Sequence, residues 1–167
     1  MVLDLTLKTD APINALIKNH EDKNARDKPI YPLLLAERAK RTQATSKLKF
    51  DRSIELLRDA AAKQICVSYG QIAEASGVEW KVARHKMNGS KGHLDALLDI
   101  CHSTGLPMLP AICVNKFNLT TGDLDASALS GFSEGARRLG YSVFDEKAFH
   151  RARQEECWAW GRELKLS

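Results

Sequence analysis

The sequence contains no Cys-x-x-Cys pair, no glycine-rich phosphate loop and no apolar run near the ~18 residues that a membrane span needs. Its four cysteines, Cys66, Cys101, Cys113 and Cys157, stand far apart. A zinc site built from Cys101, His102, Cys113 and Cys157 would lack the paired ligand spacing such sites use. A chain of 167 residues can bury a core without disulfide staples, so reduced thiols are expected. Cys101 and His102 look like a nucleophile beside its base, but neighbours on a helix point about 100° apart and cannot face each other. The carboxylates are scattered without metal-binding or acid–base spacing. These absences together predict a protein that is not an enzyme and needs no cofactor or metal. The first residues lack a basic segment followed by an apolar stretch and a small-residue cleavage site, so a cytoplasmic protein without membrane contact is expected.

Positive charge is present, though unevenly distributed. The net charge is +4, with 25 Lys and Arg against 21 Asp and Glu. Between Leu35 and Arg52 lie Arg38, Lys40, Arg41, Lys47, Lys49 and Arg52 against Glu37 and Asp51. From Glu79 to His93 come Lys81, Arg84, Lys86 and Lys91 against Glu79. Two basic segments of this kind suit a polyanionic partner.

Hydrophobic periodicity predicts a mainly helical chain. Asp10 and Pro12 open a short amphipathic helix through Ile13, Leu16, Ile17 and His20, and Pro32 suits the first turn of a helix over Leu33 to Arg41. Phe50 to Gln64 forms the clearest helix, with Ile54, Leu57, Ala61 and Ile65 on one face. After the β-like run Ile65 to Val67, Ser68 and Gln71 make a capping box for a helix through Glu74. Gly77 supplies a left-handed turn, and a second short helix starts near Glu79. A third runs from Lys91 to Thr104, with Leu94, Leu97, Leu98 and Cys101 as its apolar stripe and Gly105 as its end. Ala111 to Val114 reads as a strand that pairs beyond the turn Thr121 to Asp123 into a wing. Two further helices, Ser133 to Leu139 and Glu146 to Trp160, close the chain, with Phe149, Ala152 and Trp160 expected to dock on the core.

The predicted fold is therefore α+β and predominantly helical: a winged helix-turn-helix core with a small β-wing and helical N- and C-terminal extensions. Residues 1–49 form an N-terminal helical, basic arm, 50–125 the winged helix-turn-helix domain, and 126–167 a C-terminal extension packed on the core. On the helix from Glu79 to Asn88, Trp80, Ala83 and Met87 share one face while Lys81, Arg84, His85 and Asn88 share another. A recognition helix needs that division, because one side must seat on the scaffold while the other reaches phosphates and base edges.

Val67 to Gly77 resembles the start of the helix-turn-helix in the O6-alkylguanine-DNA alkyltransferases and alkyltransferase-like proteins. In that family a tyrosine after the serine presses on a phosphate and an arginine on the next helix fills the space of a flipped nucleotide, positions that Tyr69 and Arg84 match. Leu106 to Val114 looks like the strand leading into the family's Pro-Cys-His-Arg motif, with Pro110 at the proline. The resemblance covers roughly residues 65 to 116, and there Ala111 stands at the reactive cysteine, Ile112 at the histidine and Cys113 at the arginine. Alkyl transfer is therefore not implied.

The expected groove contacts are Lys81, Arg84, His85, Lys86 and Asn88, with Tyr69, Gln71, Lys91 and Lys116 at phosphates. The expected partner is nucleic acid, as double-stranded DNA, with a protein partner on the arm or the C-terminal helix as an accompanying possibility. Two rival readings remain open on these residues: a protein-interaction module serving a nucleic-acid machine, and a binder of damaged or modified bases.

Overall fold

The computed structural model describes residues 4–44, 46–89 and 92–166, without the side chains of Thr6 and Leu166. Eight α-helices are present among them: α1 Asp10–Asp22, α2 Ile30–Ala44, α3 Phe50–Lys63, α4 Tyr69–Ala75, α5 Trp80–Met87, α6 His93–Thr104, α7 Ala126–Arg138 and α8 Glu146–Leu166. Two short strands, β1 Val67–Ser68 and β2 Cys113–Val114, pair in parallel, with Val67 opposite Cys113. The fold is thus α+β and mainly helical, as the sequence pattern implies. No helix among the described residues is long and apolar enough to cross a membrane.

The strand pair expected between Ala111 and the turn at Gly122 does not form as an antiparallel wing. β2 turns back to β1, and Lys116–Asn118 coils into a 3-10 turn in which the Asn115 side chain accepts from the Phe117 N–H. That side-chain cap gives the backbone a local alternative to a ladder, which is why asparagine favours turns over strands. The parallel register places this turn beside the start of α4.

One hydrophobic cluster joins all parts of the chain, from Ile13 and Ile17 on α1 and Leu34 and Leu35 on α2 to Leu57 on α3, Ile72 on α4, Leu97 on α6 and Cys157 on α8. α3 ends earlier than its apolar pattern suggests. Gln64 sits at φ 61, closing the helix in a left-handed cap, so Ile65 leaves the buried face and is half exposed. α3 and α8 cross so closely that Gly161 lies against the Ala61 backbone, with no room for a Cβ. The buried stripe of α8 is His150, Gln154, Cys157 and Gly161, whereas Ala152 is exposed and Phe149 and Trp160 are only partly covered.

Polar groups weld the outer helices to this core. The Asp99 carboxylate on α6 is 2% exposed and is held by Arg38 from α2 at 2.6 Å and Arg138 from α7 at 2.7 Å. Breaking such a pair leaves an uncompensated buried charge, so the three helices are tied in one geometry. The Ala111 carbonyl accepts from His150 Nε2 at 2.8 Å and Gln154 Nε2 at 3.0 Å.

Candidate nucleic-acid interface

Ser68 and Gln71 form the expected capping box at the start of α4. The Ser68 hydroxyl accepts from the Gln71 N–H, and the Gln71 side chain accepts from the Ser68 N–H at 2.8 Å. The Gln71 side-chain oxygen is thereby committed to the cap, although the residue lies at the surface. After α4, residues Ser76 to Glu79 turn the chain, with Gly77 at φ 72. A side chain there would strain the backbone.

α5 divides as its sequence pattern predicts. Ala83 and Met87 are buried, while Lys81, Arg84, His85, Lys86 and, just past its end, Asn88 are exposed. Trp80 departs from the expectation of a buried face, being 45% exposed at the first turn, with Val82 similarly open. Arg84 Nε lies 3.4 Å from His85 Nε2. Among the described residues neither Lys81, Arg84 nor Lys86 forms an ion pair, in contrast to Arg137, Arg138, Arg151 and Arg153, each of which does.

The first basic segment splits in two. Arg38 is turned inward to Asp99, and Arg41 is held by Glu37 and Asp10 at 2.8 and 2.9 Å, so both are spent on packing. Lys47 and Lys49 remain exposed without ion pairs among the described residues, and the Lys49 N–H donates to Ser76 Oγ at 2.9 Å. That bond sets the segment against the turn between α4 and α5. Lys47 and Lys49 were not among the expected contact residues, because nothing in a linear pattern says that residue 49 meets residue 76.

Tyr69 is placed differently from the phosphate contact that the resemblance implies. It is 8% exposed and forms part of the wall of a cleft below α5, so only an edge of the side chain is open to solvent. Burial first, then the proximity of Cys113 and Asp125, pushes its phenol well above the usual range, so it stays protonated. Lys116 is exposed, with its ammonium 5.1 Å from the ring centroid of Phe117, itself 82% exposed. Lys91 lies outside the described residues.

The positions aligned with the family's reactive motif are closed to solvent. Ala111, Ile112 and Cys113 are fully packed in the core. All four cysteines are free and buried. Burial pushes the Cys101 thiol up to about 12 and raises the other three as well, which disfavours thiolate. Ser53 Oγ lies 2.8 Å from His93 Nε2, but both side chains are sealed from solvent, and His93 Nδ1 has no partner to orient it. Among the described residues no group of three or more His, Cys, Asp or Glu could hold a metal ion.

No family model, curated protein or solved structure matches this chain. The functional reading therefore rests on the residues themselves.

Proposed function

We propose that this chain is a non-catalytic DNA-binding protein that uses α4 and α5 as a helix-turn-helix and presents α5 to the duplex. The observation that carries this reading is the set of exposed cations on α5, Lys81, Arg84 and Lys86, which form no ion pair among the described residues, on a helix seated through Ala83 and Met87. Lys47 and Lys49 extend the same charge beside the turn. Arg84, His85 and Asn88 supply donors suited to base edges, and the lysines supply phosphate contacts.

Titration of a fluorescent duplex at a series of salt concentrations tests the reading. Log K should fall by about 0.9 per neutralised phosphate against log salt, and changing Lys81, Arg84 and Lys86 together to Ala should remove most of the slope. Affinity that ignores salt, or survives the triple change, overturns it.

A second reading is favoured by Trp80 and Val82, whose apolar surfaces are about half open on the same helix. In that reading α5 docks on a protein, for which exposed tryptophan is a suitable contact. Trp80→Ala separates the two, because it should spare salt-dependent duplex binding and weaken a protein complex.

A further inference from the structure

A cleft of about 750 Å³ opens between the start of α4, the end of α5, α6 and α7. Its volume lies within the range of small-molecule sites. Leu94, Leu98, Leu124 and Phe132 supply an apolar lining. Polar groups line it as well. Tyr69 is more than nine-tenths buried, yet its hydroxyl has no hydrogen-bond partner among the described residues. Asp125 lines the same cleft. The Asp125 carboxylate accepts from the Ala128 N–H at 2.8 Å and from Ser127 Oγ at 3.1 Å, which fixes its position, but no cation pairs with it among the described residues.

The sign of the lining selects the ligand. Among the described residues Glu134 is held by Arg137 at 2.7 Å and Asp95 by Arg138 at 3.3 Å, Arg138 being shared with Asp99 at 2.7 Å, so the lining carboxylate that has no ion pair is Asp125. A phosphate or carboxylate entering this cleft would meet like charge. An ammonium or amidinium would instead meet a fixed carboxylate and an acceptor hydroxyl, while its hydrocarbon part covered leucine and aromatic surface. The rings of Tyr69 and Phe132 also suit a cation with an apolar body.

We infer that this cleft is a binding site for an amphipathic organic cation, one positive nitrogen centre carried on a ring or short hydrocarbon body. Asp125 receives the charge and Tyr69 accepts a hydrogen bond from it. The cleft shares Asn88 with the end of α5, but the α5 cations and the Asp125 carboxylate have opposite signs, so the two kinds of ligand are separated by charge.

Gly131 provides a direct test. It lines the cleft from the middle of α7, and a Cβ built there meets nothing within 4 Å, so a larger residue can enter the cleft without displacing the helix. Calorimetric titration of the full chain should use 2-naphthylmethylammonium, with 2-naphthylmethanol and 2-naphthoate as neutral and anionic controls on the same ring. The ammonium should bind with one-to-one stoichiometry. The alcohol should bind about tenfold more weakly and the carboxylate more weakly still. Gly131→Leu should abolish binding with the helical circular dichroism unchanged. Asp125→Asn, which keeps a side-chain cap for α7, should weaken the ammonium about tenfold and leave the alcohol unaffected. Absence of ammonium binding at millimolar concentration, carboxylate binding as tight as ammonium, or unchanged ammonium affinity in Asp125→Asn overturns the assignment. If Gly131→Leu does not fold, Asp125→Asn decides alone.

Discussion

The Lys49 N–H donates to Ser76 Oγ at 2.9 Å, joining the segment that precedes α3 to the turn between α4 and α5. Two stretches of positive charge, 27 residues apart in the chain at this bond, thereby become neighbours. Arg38 and Arg41, equally basic in the sequence, are held by carboxylates, Arg38 by buried Asp99 and Arg41 by Glu37 and Asp10. Lys47→Ala with Lys49→Ala should therefore reduce the salt dependence of duplex binding by up to about two phosphate equivalents, roughly 0.9 each in log K against log salt. Arg41→Ala should leave that slope unchanged. Fluorescence anisotropy over a salt series reads both, and an equal effect of the two changes would contradict the placement.

Asp99 provides a second measurement. Removing its carboxylate by Asp99→Ala leaves Arg38 and Arg138 without their shared buried partner, and the expected destabilisation is about 3 kcal/mol or more. Urea unfolding measures it. The exposed i,i+4 pair Lys63 and Asp59 gives the comparison, since Asp59→Ala should cost less than about 1 kcal/mol.

Acid should loosen the start of α6. Burial pushes His93 down to about 4, against an ordinary value of 6.5. Between those values the unfolded chain holds a proton that the folded chain rejects, so stability rises with pH across the window. The full contribution is present above pH 6.5 and is lost as pH falls toward 4, to a total of about 3 kcal/mol. His102 and His150 are lowered too, chiefly by burial, and act in the same direction. Urea midpoints at pH 7 and pH 4.5 should show the loss, and His93→Gln should reduce the difference.

Two glycines on helices should respond in opposite ways to the same substitution. Gly161→Ala drives a methyl group into the Ala61 backbone, forcing α3 and α8 apart, and should destabilise by several kcal/mol, roughly the upper end for overpacking. Gly131→Ala enters open space within α7 and should stabilise by about 0.5–1 kcal/mol through helix propensity. Thermal unfolding by circular dichroism distinguishes them.

Local signals were legible wherever a residue acts on its own near neighbours. Ser68 and Gln71 announce their capping box, Gly77 and Gly105 their left-handed turns, and the spacing of Ala83 and Met87 the seated face of α5. The apolar stripe of α6 was readable for the same reason. The C-terminal stripe was not, because His150 and Gln154 look solvent-facing until the Ala111 carbonyl stands opposite them. The missing wing has a similar origin: Cys113 and Val114 form a strand whose partner is Val67 and Ser68, far back in the chain.

By itself the sequence determined a mainly helical chain, the helix-turn-helix-like order of α4 and α5, and two segments rich in positive charge, because capping, glycine turns and amphipathic spacing act within a few residues. Only the tertiary structure decided which cations are held by carboxylates, that Lys49 meets Ser76, and that Tyr69 and Asp125 line one cleft. Those outcomes depend on packing between segments distant in the chain, where burial cost and charge pairing are set by neighbours that no local pattern specifies.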